Sequence, residues 1–187
     1  TIMMIGTIVS NRLHGTLIVL PLALIDQWKR EIERTTDITP LVWHTTTKKN
    51  IEEKELFDAE VVITTYGHIQ STKKSTFNIL HEMNWGRVIF DEGHHLRNAK
   101  TKNHLGALAI KAPVRWLITG TPIQNRRSDF FSLCAIMGYE KIFYAKPENL
   151  MKMVKASIMK RTKKEVGIEL PPMTIEMVPI EWKNATE

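Results

Sequence analysis

The chain has 187 residues, 43% hydrophobic and 25% charged, which suits one ordinary folded domain, or one lobe of something larger, and excludes a disordered chain. A net charge of +6 permits a polyanionic partner without naming one, because lysines scattered over a solvated surface give the same total. The single cysteine, Cys134, sits in an apolar run and excludes an internal disulfide, in keeping with a reducing compartment.

The opening TIMMIGTIV is too short to span a bilayer and no basic residues precede it, so it reads as a helix with Ile2, Ile5, Ile8 and Val9 on one stripe. A chain that begins with Thr1 in place of Met is expected to be a piece of a longer one. Thr16 to Leu20 (TLIVL) is a continuous apolar run of the kind that forms a strand buried on both faces, and Pro21 ends it. Leu22, Ile25, Trp28 and Ile32 then predict a helix from Leu22 to Arg34, with Trp28 on its packed face.

The strand-helix pattern repeats. Leu41 to His44 reads as a short strand, and Asn50 with Glu53 resembles a capping box for a helix reaching Phe57. Glu60 to Tyr66 is the next strand, and Phe77, Leu80, His81 and Asn84 suggest a short helix. Another strand follows through Val88, Ile89 and Phe90. A stripe of Leu105, Leu108, Ala109 and Ala112 predicts a helix stopped by Pro113, before a strand from Val114 to Thr119. Ser128 and Asp129 start a helix that buries Phe130, Leu133, Cys134 and Met137 and ends at Gly138. Residues 148 to 164 look helical and end in the basic run MKRTKK, after which Met173, Ile175 and Met177 alternate like a strand. Alternating strands and helices argue for an α/β domain with a mostly parallel central sheet flanked by helices, in which ligands gather at the carboxyl ends of the strands.

The chemistry centres on RVIFDEGHHLRN, from Arg87 to Asn98, where three β-formers run into the adjacent carboxylates Asp91 and Glu92. Such a pair at a sheet edge suits nucleotide hydrolysis: one carboxylate holds Mg²⁺ through its waters and the other polarises the attacking water. An acidic pair capping the next turn is the plainer alternative. Three more polar clusters stand at predicted strand ends: Pro21 with Gln27 and Trp28, Thr64-Thr65-Tyr66, and Thr119-Gly120-Thr121-Pro122-Ile123-Gln124-Asn125.

In order and separation these clusters resemble the Swi/Snf-type branch of the superfamily-two helicases, the ATP-dependent DNA translocases and chromatin remodellers. LIVLPLALIDQW is similar to that family's motif Ia, VVITTY to motif Ib, DEGHHLRN to motif II and LITGTPIQN to motif III. The resemblance implies a RecA-like lobe over residues 1–145, with residues 146–187 leading toward a second lobe of the same parent chain. It implies Mg²⁺ and ATP as cofactors, Asp91 as the Mg²⁺ ligand and Glu92 as the residue that activates water. His94, Thr119, Gly120, Thr121 and Gln124 would couple nucleotide state to movement, and Pro21, Thr64 and Thr65 would touch the backbone of double-stranded DNA. Thr1 resembles the last residue of the phosphate-binding loop, whose glycines and lysine are not in the sequence, so the isolated chain is expected to hold ATP weakly and to be inactive.

By the same resemblance the parent belongs in the nucleus if eukaryotic, or in the cytoplasm or a virus otherwise, with nucleosomes or repair proteins as further partners and no membrane. Trp85, DEGH and the Arg115-Trp116 pair are reminiscent of the post-replication-repair subgroup of fungi and animals. The rivals are a strand-separating helicase of the DEAD or DEAH box type, which shares Asp91-Glu92, and a non-hydrolysing DNA- or protein-binding scaffold. Motif III discriminates the first, since those helicases usually carry Ser-Ala-Thr where this chain has Thr119-Gly120-Thr121.

Overall fold

A computed structural model describes residues 1–72, 78–121, 127–162, 165–167 and 173–179. The apolar runs form five strands: β1 (Thr16–Leu20), β2 (Leu41–Trp43), β3 (Val61–Thr65), β4 (Arg87–Phe90) and β5 (Val114–Leu117). They make one sheet in the order β2-β3-β1-β4-β5, with every neighbouring pair parallel. Every residue of β1, β3 and β4 is buried, which is why these strands read as continuous rather than alternating apolar runs.

Eight helices flank the sheet among the described residues: α1 (Ile2–Ser10), α2 (Ile25–Thr35), α3 (Glu53–Asp58), α4 (Ile79–Glu82), α5 (Lys102–Ala109), α6 (Arg127–Ile136), α7 (Lys141–Tyr144) and α8 (Pro147–Ser157). Ile18, Leu20, Ile63 and Ile89 pack on one face with Ile5 and Ile8 of α1 and Ile25, Trp28 and Ile32 of α2. Leu17, Val19, Val62, Val88 and Phe90 pack on the other with Leu56, Leu80, Ala107, Leu133 and Ile136. Each such aliphatic side chain, fully buried, contributes about 1.5–3 kcal/mol. A smaller core of Cys134, Tyr144 and Met153 joins α6, α7 and α8. Burial pushes the Cys134 thiol up to about 11, which keeps it protonated and inert.

The elements depart from the sequence expectation in several places. The helix expected from Leu22 is divided: Pro21, at φ −62° and ψ 144°, accepts the Leu24 amide across a 3-10 turn (Leu22–Leu24), and α2 begins only at Ile25. The capping box lies two residues later than expected, because the Glu55 carboxylate accepts the Glu52 amide at 2.8 Å, while Asn50 closes a separate 3-10 turn (Lys48–Asn50). The strand expected to reach Tyr66 stops at Thr65, and Tyr66–Ile69 is again a 3-10 turn.

In α5 the expected stripe is not the packed one. His104, Gly106 and Ala107 are buried while Leu108 is exposed. A Cβ on Gly106 would lie 1.5 Å from the Ile69 carbonyl oxygen, so the helix approaches the Tyr66–Ile69 turn on its smallest side chains. The helix expected to reach residue 164 ends at Ser157, since Met153 is its last buried residue and Lys160 and Arg161 have no apolar face to hold further turns. Residues 173–179 form no strand, and Met173, Ile175 and Met177 are exposed. Phe77, Lys163 and Lys164 lie outside the described residues.

Candidate nucleotide and nucleic-acid site

Parallel strands share one carboxyl edge, so the sheet brings Pro21, Tyr66, Asp91 and Ile118 to the same side. Asp91 continues the central ladder, donating its amide to the Val19 carbonyl at 2.9 Å. Its side chain is nearly buried and held at both oxygens. The Trp28 indole Nε1–H donates to Oδ2 at 2.7 Å and the Glu92 amide donates to Oδ1 at 2.9 Å. Tyr66 Oη donates to the Asp91 carbonyl at 2.6 Å, and burial first, then the charges of Asp91 and Glu92, push the phenol well above its ordinary range. That phenol stays a donor.

Glu92 stands at φ 49° and ψ 47°, the one non-glycine residue with positive φ among the described residues. Left-handed backbone costs an ordinary residue about 1–2 kcal/mol and is concentrated at functional positions. The consequence is a carboxylate turned outward next to a carboxylate turned inward, one half-exposed and the other 8% exposed. Glu92 Oε2 lies 3.1 Å from His94 Nδ1. His94 stacks on His95 at 4.6 Å, and His95 tilts against Tyr66 at 5.2 Å, so one column of rings backs the acidic pair.

Gly93 is fixed by packing. Its amide donates to the Ile118 carbonyl at 2.8 Å, and a Cβ there would meet Leu117 Cγ at 2.4 Å. The acidic turn is thereby clasped to the end of β5. Beyond it, Thr119 Oγ1 accepts the Thr121 amide at 3.2 Å, and Gly120 and Thr121 are exposed. A Cβ on Gly120 would meet nothing within 4 Å, so protein packing does not demand that glycine. Among the described residues, Gly93 supplies a backbone contact between the acidic turn and this segment. Gln124 lies outside the described residues.

The residues expected to face DNA divide. Pro21 is half-buried beside an exposed Leu22. Thr64 is fully buried and its hydroxyl donates to the Trp43 carbonyl at 2.8 Å, which withdraws that side chain from direct phosphate contact. Thr65 is 8% exposed, and its Oγ1 lies 3.0 Å from His68 Nδ1. His68 Nε2 lies 3.1 Å from Thr45 Oγ1, and the ring meets His44 edge-on at 5.0 Å. Burial first, then Lys48 and His44, lower the His68 pKa. No motif reading singled out His68 or Thr45, and only the fold brings them to Thr65. Thr1 begins α1, its carbonyl accepting the Met4 and Ile5 amides at 2.9 and 3.1 Å.

The donor set fits Mg²⁺ held together with a nucleotide. Each Asp91 oxygen accepts one hydrogen bond and keeps a further lone pair. Mg²⁺ takes one or two carboxylates together with waters and substrate phosphates, and no cluster of three or more metal-ligating side chains exists among the described residues.

The SNF2-related domain matches residues 1–186. The DNA repair protein RAD5B of Arabidopsis thaliana is 30% identical over 199 residues, covering 91% of this chain and 16% of the relative. The DNA repair protein RAD5 of Eremothecium gossypii is 35% identical over 150 residues, covering 73% of this chain and 14% of the relative. The chain thus spans about a sixth of the curated relatives it matches. The Sulfolobus solfataricus SWI2/SNF2 ATPase core, solved in complex with double-stranded DNA, superposes with a TM-score of 0.70 at 24% identity, covering 89% of this chain and 38% of that one. This likeness supports the RecA-like lobe, and these matches do not favour the DEAD or DEAH box alternative. The chain belongs to the SNF2-related family, and within it its similarity runs to the DNA repair proteins of the RAD5 type.

Proposed function

We propose that this chain is the first motor lobe of an ATP-dependent translocase on double-stranded DNA, and that the parent protein hydrolyses Mg-ATP to move on DNA or to remodel protein-DNA complexes during repair. The observation that carries the reading is the split carboxylate pair at the end of β4: Asp91 held inward at both oxygens, and Glu92 turned outward by a left-handed backbone. Bound Mg²⁺ would neutralise phosphate charge. Asp91 would hold it, and Glu92 would accept the proton of the attacking water, for which an exposed carboxylate outside the ladder is suited. The room at Gly120 supports close approach of a ligand to the Thr119–Thr121 segment, which the Gly93 clasp ties to the acidic turn.

Pro21 and Thr65, with His68 and Thr45, would meet the DNA backbone, giving sequence-independent and salt-sensitive binding. The lobe would occupy residues 1–145, followed by the segment toward a second lobe. A nuclear location agrees with relatives that are eukaryotic repair proteins. No helix among the described residues is long and apolar enough to cross a membrane.

The test is ATP turnover by the full-length protein, wild type and Glu92→Gln, without nucleic acid and with single-stranded DNA, duplex DNA or duplex RNA. The expected result is stimulation mainly by duplex DNA and a loss of about 10²–10⁴-fold in the variant. No turnover under any condition, in protein that still binds DNA, would establish the scaffold instead; stimulation by RNA alone would refute the choice of substrate.

A further inference from the structure

Resting on the functional reading above, we infer that Trp28 is a positioning residue for Asp91, and that its indole hydrogen bond links the Pro21–Leu24 loop to the metal-holding carboxylate. Asp91 makes no ion pair with a lysine or arginine among the described residues. Among the described residues its charge is met by two N–H dipoles, and the one supplied from outside its own turn is the indole of Trp28. A fully buried side chain in a core of Ile25, Ile32, Ile63 and Ile89 has no latitude to swing. The carboxylate plane is therefore set by where α2 sits on the sheet.

The position of α2 is set in turn by the loop before it. Pro21 caps the 3-10 turn that runs without a break into α2, and its exposed neighbour Leu22 makes this a surface a ligand can reach. The second loop expected to face DNA reaches the same residue from the other side. Thr65 is followed directly by Tyr66, whose hydroxyl donates to the Asp91 carbonyl at 2.6 Å. Two surface loops, on β1 and β3, thus each end in one hydrogen bond to Asp91. Partners that orient a metal ligand typically carry about 10–100-fold of metal affinity. Trp28 acts on the side chain, which would hold the cation, and Tyr66 acts on the backbone. Trp28 is therefore the stronger lever on Mg²⁺.

The experiment uses the full-length protein as wild type, Trp28→Phe and Trp85→Phe. Trp85 is the matched control: it is 2% exposed and donates its single indole bond to the Leu80 carbonyl, away from the acidic turn. Binding of a fluorescent ATP analogue is titrated with Mg²⁺, with and without duplex DNA. Trp28→Phe is expected to raise the half-saturating Mg²⁺ about tenfold and to remove any effect of DNA on it, while Trp85→Phe moves neither. Equal shifts in both variants, or none in Trp28→Phe, overturn the inference.

A second measurement keeps Trp28 in place. In protein labelled with ¹⁵N-tryptophan, the indole resonance absent from Trp28→Phe is expected to shift in Asp91→Asn and on adding duplex DNA without nucleotide; an unmoved resonance refutes the link. Absence of DNA-stimulated turnover in the wild type sinks the translocase reading alone, provided that the Mg²⁺ titration still separates Trp28 from Trp85. Absence of any Mg²⁺-dependent nucleotide binding in the wild type overturns both.

Discussion

The two ends of β4 carry buried groups of opposite charge, and they are treated differently. At the carboxyl end both Asp91 oxygens are engaged. At the amino end Arg87 is 1% exposed, donates from Nη2 to the Asn11 carbonyl at 2.9 Å, and leaves Nε and Nη1 without a partner among the described residues. Burial lowers its pKa, and among the described residues the neighbouring Thr16 hydroxyl lacks a partner as well. A well-satisfied carboxylate in an apolar wall is a group kept in a fixed place. A poorly satisfied guanidinium of similar burial contributes little beyond its volume. Charge at one end is held in a fixed place; at the other it is a cost the core carries.

The sharpest way to break this comparison is to remove both aspects of Arg87 separately. Arg87→Ala loses a buried side chain and is expected to cost about 3–5 kcal/mol in urea unfolding. Arg87→Met keeps the volume and drops the charge, and should leave stability unchanged or raise it, with the Mg²⁺ dependence of nucleotide binding unaltered. A fall of several kcal/mol in Arg87→Met would show that the amino end is as closely specified as the carboxyl end.

Next in size is the clasp at Gly93. Gly93→Ala drives a Cβ into Leu117 and is expected to destabilise by about 1–3 kcal/mol, partly restored by adding Leu117→Ala. Additive losses in a double-mutant cycle would mean that the two residues do not press on each other.

Glu92→Gly addresses the strained turn itself. Relief of the left-handed backbone should raise stability by about 1 kcal/mol while turnover is lost, the opposite sign from Gly93→Ala one residue away. Unchanged or lower thermal stability would show that the turn stores no strain.

The smallest expected effect is on pH. Burial lowers the pKa of His81, which accepts the Asn78 amide at 3.2 Å and faces the Gly106 carbonyl at 3.3 Å, and it lowers those of His68 and His95 too. A base with a lower pKa folded than unfolded binds fewer protons when folded. Its stabilising contribution is therefore full above the ordinary value of 6.5 and lost as pH falls below it. Urea midpoints should fall from pH 7 to pH 5, and His81→Gln should flatten that slope. A midpoint rising toward acid would refute the assignment.

β1, β3 and β4 were legible because burial on both faces leaves mostly apolar residues, and LIVL, VVI and VIF are such runs. Asp91 and Glu92 were legible for the same reason, as the first charges after one of them. The packed face of α5 was not. Its contact is made by Gly106 and Ala107, and a pattern that looks for large apolar side chains passes over small ones that let backbones touch. Trp28 was rightly placed in the core, but its bond to Asp91 joins residues 63 apart and leaves no local trace. The left-handed Glu92 is equally silent, since nothing beside it asks for positive φ except the packing of Gly93 on Leu117. Thr64 and Thr65 look alike in sequence; only the position of Trp43 on β2 decides which hydroxyl is consumed inside.

The strand order has a consequence for how the chain is made. β1 occupies the centre of the sheet, yet it is synthesised before both of its partners, Val61 to Thr65 and Arg87 to Phe90. Until both have emerged, TLIVL is an unpaired apolar segment with two open edges. Cover that can arrive before then comes from α1 and α2 on one face and from Leu56 of α3 on the other. Such a chain cannot zip from a local hairpin; it has to close long loops first, which makes for slow folding and a window open to association. The segment around β1 therefore needs shielding at the ribosome until residues 61–90 have emerged, before the acidic turn of Asp91 and Glu92 exists.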